Sequence, residues 1–465
     1  MVTLEIHNIK TRLSGDMRVL NKLYKELSFR HPNAYHIRQN IKFDWDGMVH
    51  PLTDAGYIKT GLLEVVVDKL MALGVEEFEV IDHRVYPEFT GVPEKVGAFQ
   101  LRDYQKEALA ILGNREVLGF PHYRGLFIQS MNAGKTLELF ATHMMFEDAR
   151  TLLIISSKII YKQLLKDAKE VFDDQEVGFM QGKNLKWGNL MIVMAQTLKN
   201  RLKEFREELL EYNIMAIDEA DLSSNKIFQE IFTSLSHIAI RVGFTGTAFL
   251  RQLKKDALKN IALVENFGET LHKVSMKELE DWGHSTPVTI KLIKPPYTRV
   301  GKQWLEEFKD VITFNPDTHK LVLRRIKYNQ RRGNKHILVV CKFIEQTEIL
   351  YEFLKDKVGT TIDYTHHKRT APVESFKVGD TKILITALYL KRGVNLPLIN
   401  TIISVADGDW YSNPIQVIGR GTRKHGSKQD FYYEDILFMG KYLSPHSRQR
   451  VKYYKNLGVK LRDYS

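Results

Sequence analysis

The stretch Gly125-Leu-Phe-Ile-Gln-Ser-Met-Asn-Ala-Gly134-Lys135-Thr136 decides the fold. It begins with an apolar run, Leu126-Phe127-Ile128, crosses a short polar loop and enters a segment that reads as a helix. A loop between a strand and a helix start turns the backbone N–H groups of Asn132, Ala133 and Gly134 toward an anion, and the helix dipole adds to the attraction. In that frame Lys135 reaches the β- and γ-phosphates of a nucleotide and Thr136 ligates Mg²⁺. A strict phosphate-binding loop has glycine where this chain has Gln129.

Short apolar runs alternating with helical stretches continue on both sides. Leu152–Ile155, Met191–Met194 and Ile214–Ile217 follow the loop, and Val288–Ile293, Ile337–Val340, Ile383–Ile385 and Thr401–Val405 repeat the rhythm after Pro287. Strands covered by helices on both faces read this way, so the pattern predicts two α/β lobes with parallel sheets. Residues 1–95 read as a small α/β domain, with a strand over Thr3–Ile9, helices over Met17–Phe29 and Gly61–Leu73, and a strand over Phe78–Ile81. Pro87, Gly91, Pro93 and Gly97 then mark a linker. The expected divisions are 1–95, a nucleotide-binding lobe 96–286, a second lobe 287–440 and a basic tail 441–465.

The 465 residues carry 68 Lys and Arg against 56 Asp and Glu, a net charge of +12 that suits a polyanionic partner. A single cysteine, Cys341, excludes an intrachain disulfide and a cysteine-rich zinc site. His366 and His367 are adjacent but have no partner at metal-ligand spacing. No apolar run approaches the roughly 20 residues that span a bilayer, so no membrane role is expected and the protein is read as cytoplasmic.

Ile214-Met-Ala-Ile217 runs directly into Asp218-Glu219-Ala220-Asp221. Paired acids at a strand end place one carboxylate, Asp218, to hold Mg²⁺ and the next, Glu219, to orient or deprotonate the attacking water. A charged turn after a strand is the ordinary alternative. It loses weight because Lys135 lies 83 residues upstream, a spacing that fits a single α/β lobe.

At this point the chain resembles the superfamily 2 helicases, and the match continues in order. Leu101-Arg-Asp-Tyr104-Gln105 resembles their adenine-sensing motif, which places Tyr104 and Gln105 at the base. Ile154–Ser157 with Gln163, and Met194–Thr197, are similar to segments that contact nucleic acid. Thr245-Gly-Thr247 resembles the motif that couples hydrolysis to strand movement. Thr386–Asn395, with Gly393, resembles motif V, and Gln416-Val-Ile-Gly-Arg420-Gly-Thr-Arg423 matches the Gln-x-x-Gly-Arg-x-x-Arg of motif VI. Asn132 stands where many of these helicases have a second glycine.

The resemblance implies two tandem RecA-like lobes with ATP in the cleft between them. The first supplies Gln105, Lys135, Thr136, Asp218 and Glu219, and the second supplies Gly393, Gln416, Arg420 and Arg423. Arginines delivered to a departing γ-phosphate are worth about 10³–10⁵ in rate, and Arg420 and Arg423 would share a helix face. The plan looks closest to phage UvsW-like branch-migration helicases and their RecG-type relatives. That likeness includes a Trp-Asp-Gly turn (Phe43–Gly47) and an Arg-Lys-His-Gly-Ser stretch (Arg423–Ser427). Two departures are Asp218-Glu219-Ala220-Asp221 for a more usual Asp-Glu-Cys-His, and Gln129.

The function so implied is an ATP-dependent DNA helicase or translocase that remodels branched or forked DNA in replication, recombination or repair, in a host-cell cytoplasm if of phage origin. An RNA helicase, an inactive nucleic-acid-binding scaffold and a restriction-type translocase subunit are the competing readings. Grip on nucleic acid is expected from basic surface, and Lys320–Lys342 holds eight Lys and Arg and no acid. Trp45 is read as a packing aromatic ahead of a base-stacking one, and Tyr161, Trp187 and Trp410 as packing residues.

Overall fold

The computed structural model describes residues 1–38, 45–246, 256–298, 301–387, 396–408, 412–426 and 428–464. By their internal contacts the residues divide into two compact units: Met1–Gln129 with Gly134–Lys273, and Val274–Ser465 with Ser130–Ala133.

The first unit begins with a four-stranded sheet of β1 (Val2–Ile6), β2 (Lys10–Gly15), β3 (Tyr57–Lys59) and β4 (Phe78–Asp82), in the order β3-β2-β1-β4. The hairpin β1–β2 is antiparallel, whereas β1 and β4 run parallel. Val2, Leu4 and Ile6 point inward, which is the period-two pattern of a sheet with one covered face. Helices α1 (Met17–Leu27) and α2 (Leu63–Ala72) cover it with Leu20, Leu23, Leu27, Leu63, Val66 and Leu70. Helix α1 stops before the expected Phe29 because the Ser28 hydroxyl bonds back to Tyr24 O at 2.6 Å and the backbone turns extended.

This small sheet is docked on the larger part of the same unit. A Cβ on Gly61 would lie 2.1 Å from Val264 O, so only glycine permits that approach. Asn8 Nδ2 donates to His237 O at 2.6 Å, the buried Arg124 donates to Asn8 O, and Arg115 pairs with Glu64. The segment read as a linker is packed as well, with Tyr86, Phe89 and Val92 against the main core.

That core flanks an eight-stranded sheet of β5 (Arg124–Gln129), β6 (Thr151–Ile155), β7 (Val177–Gln181), β8 (Asn184–Lys186), β9 (Leu190–Met194), β10 (Ile214–Asp218), β11 (Ile240–Thr245) and β12 (Thr270–Val274). Its order is β8-β7-β9-β6-β10-β11-β5-β12, and the six strands from β7 to β5 are parallel. These strands are buried on both faces, which is why they read as unbroken apolar runs. Phe127 and Phe244 stack at 4.7 Å between β5 and β11. Full burial of each such ring contributes about 1.5–3 kcal/mol.

The second unit holds seven parallel strands: β13 (Val288–Ile293), β14 (Ile337–Cys341), β15 (Ile362–Thr365), β16 (Ile383–Ala387), β17 (Thr401–Ser404), β18 (Phe431–Ile436) and β19 (Lys460–Tyr464). The order is β15-β16-β14-β17-β18-β13-β19. The stretch expected as a basic tail is integral to this unit. Leu443–Asn456 forms a helix with Tyr453 and Tyr454 buried, and β19 pairs with β13. The reason is periodic: Lys452, Lys455 and Lys460 face outward between residues that do not. Arg450 is buried between Asp435 at 2.8 Å and Asp407 at 3.1 Å. Among the described residues no helix is long and apolar enough to cross a membrane.

Candidate active site

Parallel α/β sheets bind ligands beyond the carboxyl ends of their strands. In the first unit that edge carries Gln129 at the end of β5, Asp218 at the end of β10 and Thr245 at the end of β11, on neighbouring strands. Helix α3 (Asp103–Gly113) and helix α4 (Lys135–Met144) flank the phosphate loop.

Gly134 adopts φ 82° as the residue before α4, and Asn132 adopts φ 72°, a conformation Asn tolerates better than most residues. Lys135 Nζ donates to Gln129 O at 3.1 Å. Burial pushes its ammonium below the usual lysine value, while Asp218, Glu138, Glu219 and Asp221 oppose that drop. A cation facing the Asp218, Glu219 and Asp221 carboxylates and held by a carbonyl is poised to exchange that carbonyl for phosphate oxygens.

Asp218 is 8% exposed, and its Oδ1 accepts from Glu219 N at 3.0 Å. Glu219 stands in the left-handed region at φ 58°, ψ 48°. A non-glycine residue there costs on the order of 1–3 kcal/mol, and such strain clusters at functional sites. Asp221, named in sequence without a role, accepts from Thr245 Oγ1 at 3.0 Å and ties the acidic turn to β11. Gly246 lies so close that a Cβ there would be 3.2 Å from Gln129 O. Its neighbour Thr247 lies outside the described residues.

Gln105 is 1% exposed; its Oε1 accepts from Arg102 N at 2.9 Å and its Nε2 donates to Gly134 O at 3.2 Å. It therefore links α3 to the phosphate loop. Tyr104 is buried with its hydroxyl 2.7 Å from Arg102 Nη1.

Behind the loop Gln129 has a buried partner, Glu138, that the sequence reading did not name. Gln129 Nε2 donates to Glu138 Oε1 at 2.7 Å, and among the described residues neither Glu138 Oε2 nor Gln129 Oε1 has a hydrogen-bond partner. Burial pushes the Glu138 carboxyl up to about 8, against the Gln129 hydrogen bond and the charges of Lys135 and Arg102. The carboxyl is thus largely protonated at neutral pH. One acid inside the apolar run Leu137–Phe140 was the available signal. Gln129, in place of the usual glycine, has its side chain buried on this partner.

The segments similar to nucleic-acid contacts follow β6 and β9. Gln163 is exposed and bonds Asp167 at 2.6 Å, and Thr197 Oγ1 accepts from Gly182 N at 3.2 Å. Trp45 donates to Met48 O at 3.1 Å and meets His31 edge-on, as a packing aromatic does. Tyr161 is buried, and Trp187 packs on Phe205. Phe43 and Trp410 lie outside the described residues.

In the second unit a helix spans Ser412–Gly421 and carries Arg420, which is 4% exposed. Arg423 does not share its face, because the helix ends at Gly421. A Cβ on Gly421 would meet the Phe431 ring at 2.1 Å, and Thr286 takes the carbonyls of Thr422 at 2.7 Å and Arg423 at 3.2 Å. Burial lowers the Arg423 guanidinium below its usual value. Lys428, which follows this motif, is buried and donates to Gly421 O. The Gln416 side chain, Gly393, Asn395 and Ser427 lie outside the described residues.

The basic run separates into distinct roles. Arg325 and Lys291 pair with the buried Glu434, Lys320 pairs with Asp317, and Lys342 lies 4.2 Å over Trp304. Arg324, Lys327 and Arg331, on the helix Pro316–Arg331, line a groove of about 850 Å³ with Lys294 and Tyr328.

Comparison with known proteins agrees with this architecture. Residues 98–250 match the family model described as type III restriction enzyme, res subunit, and residues 318–425 match the helicase conserved C-terminal domain. The chain is 22% identical to the ATP-dependent DNA helicase uvsW of Enterobacteria phage T4 over 378 residues, 77% of this chain and 72% of that protein. The solved structure of S. cerevisiae Dbp5 bound to RNA and ADP BeF3 covers 79% of this chain and 90% of its own, with TM-score 0.53 at 13% identity. The DNA-bound DUF1998 helicase MrfA gives TM-score 0.55 at 12% identity over 82% of this chain and 53% of its own. The last two likenesses speak to fold alone. The two family matches together span more than half of the residues, and on that ground the chain belongs to the ATP-hydrolysing superfamily 2 helicases.

Proposed function

We propose that this helicase is a DNA translocase that remodels branched or forked duplexes. The observation that carries the reading is the convergence of Lys135, Asp218 and Glu219 at the carboxyl edge of one parallel sheet. The uvsW relative, named a DNA helicase and matched over 72% of its length, favours DNA.

In this reading Lys135 binds the β- and γ-phosphates, the N–H groups of Asn132, Ala133 and Gly134 cradle them, and Gln105 and Tyr104 lie on the adenine side. Thr136 and Asp218 offer the hard oxygens that suit Mg²⁺, which when bound would neutralise phosphate charge. Glu219 orients or deprotonates the attacking water. By the family resemblance, Gly393, Gln416, Arg420 and Arg423 are proposed to act on the same nucleotide. Closing on ATP and reopening after hydrolysis would then move the protein along a strand. The groove of Arg324, Lys327 and Arg331 gives sequence-independent grip on phosphates.

The test is ATP hydrolysis and unwinding measured side by side on forks, four-way DNA junctions and RNA duplexes. DNA junctions should stimulate wild type, while Lys135→Ala and Arg420→Ala should lose stimulated hydrolysis with the fold intact. A preference for RNA duplexes would replace the DNA reading, and full activity in either variant would refute the site.

A further inference from the structure

Outside the nucleotide site the small N-terminal sheet presents a second cluster of chemistry. Glu5 lies on the outer face of β1, His7 follows β1, and His83 follows the parallel neighbour β4. Glu5 Oε1 is 3.3 Å from His7 Nε2 and 3.4 Å from His83 Nε2, and all three ligand atoms lie within 4.8 Å of one another. Four ligands at zinc-bond lengths of about 2.0–2.1 Å stand roughly 3.3 Å apart at the corners of a tetrahedron. Two of the three separations already have that value.

The backbone holds the cluster in place. His83 N donates to Ile6 O at 2.9 Å, His7 N donates to Lys10 O at 3.0 Å, and Thr60 Oγ1 donates to His7 O at 2.7 Å. Arg12 approaches Glu5 Oε2 at 4.0 Å, so the two carboxylate oxygens divide: one faces the guanidinium, the other the rings. The imidazoles lie face to face, centroids 4.4 Å apart and 5° from parallel, so one must rotate for both lone pairs to meet at a point. Side-chain exposures of 50% for His7 and 45% for His83 leave room for that turn.

We propose that Glu5, His7 and His83 bind a divalent transition metal, zinc by ligand type, with water at the open position. Two imidazoles and a carboxylate suit zinc, cobalt and nickel rather than magnesium. The position gives the ion a consequence. Asn8, beside His7, accepts from Arg124 of β5; Arg84, beside His83, pairs with Asp82 and meets His122 at 2.8 Å. An ion joining His7 to His83 ties together the two segments through which the small sheet grips the strand leading to the phosphate loop.

The experiment uses the full chain without a histidine tag, titrated with Co²⁺ alone and with Zn²⁺ alone. Visible d–d absorption, calorimetry and the melting temperature are the readouts. One Co²⁺ per chain should bind with a four-coordinate spectrum, and Zn²⁺ should displace it and raise the melting temperature. His7→Ala, His83→Ala and Glu5→Gln should each weaken binding by at least about 10–100-fold, since even outer-shell changes cost that much. His367→Ala should bind as wild type, and far-UV circular dichroism should match in every variant. No saturable uptake by wild type, or uptake undiminished in both histidine variants, overturns the site.

Discussion

Gly61→Ala probes the seam between the small sheet and the phosphate-binding part of the first unit. The new methyl carbon would lie 2.1 Å from Val264 O and 2.5 Å from Glu265 O. Carbon and oxygen need about 3.2 Å, so the seam must open by about 1 Å, and neither carbonyl can swing aside, since both belong to the helix Ala257–Phe267. Overpacking of this kind costs about 1–3 kcal/mol. Stretching the Arg124–Asn8 hydrogen bond adds more, because a buried guanidinium is left short of an acceptor, worth a further 1–3 kcal/mol. Together the cost is about 2–6 kcal/mol, concentrated on docking rather than spread over the chain. Hydrogen exchange read by mass spectrometry is the assay. Peptides covering His7–Thr11 and Lys59–Val67 should exchange about 30-fold faster or more, while β14 and β17 of the second unit stay unchanged. Gly426→Ala, where no atom of the described residues lies within 4 Å, is the control. Exchange in Gly61→Ala indistinguishable from wild type would show that the seam is not close-packed there.

Glu138→Gln should reveal the protonated carboxyl. Its pKa is raised from 4.5 to about 8, so the folded state holds a proton that the unfolded state releases, and stability falls as pH rises through that interval. At 1.36 kcal/mol per pH unit the glutamine variant should gain roughly 3–4 kcal/mol on wild type between pH 5 and 8, read as melting temperature; a pH-independent difference would refute protonation. Replacing Arg324, Lys327 and Arg331 by Ala should reduce the slope of log K against log salt for duplex DNA by up to about 2.7, and an unchanged slope removes the groove from the grip. Cys341 is buried with its thiol pushed up to about 12, so thiol reagents should label it only after unfolding.

The strand positions were readable because two-sided burial demands unbroken apolar residues. Leu152–Ile155, Ile214–Ile217 and Val288–Ile293 all fall within observed strands. Edge strands are harder: Lys460–Tyr464 holds three charged residues, Lys460, Arg462 and Asp463, and reads as part of a basic tail. The motif residues were legible by type and order. Their immediate partners were not, since the Gln129–Glu138 pair and the Thr245–Asp221 bond depend on strand neighbours that sequence does not state. The reading of Arg420 and Arg423 on one helix failed for a similar reason. Phe431, from the adjacent strand, packs against Gly421, and Thr286 draws off the next two carbonyls.

Strand β13 sits between β18 and β19, so Val288 waits for Phe431 and Thr289 for Lys460 before either edge is satisfied. During synthesis at roughly 5–20 residues per second, a nascent chain would carry that largely apolar strand bare on both sides for about 10 seconds or longer. A ribosome stalled before Phe431 would therefore display a sticky ribbon beside a first unit that has every partner it needs, and chaperone demand in the cell should centre on the second unit.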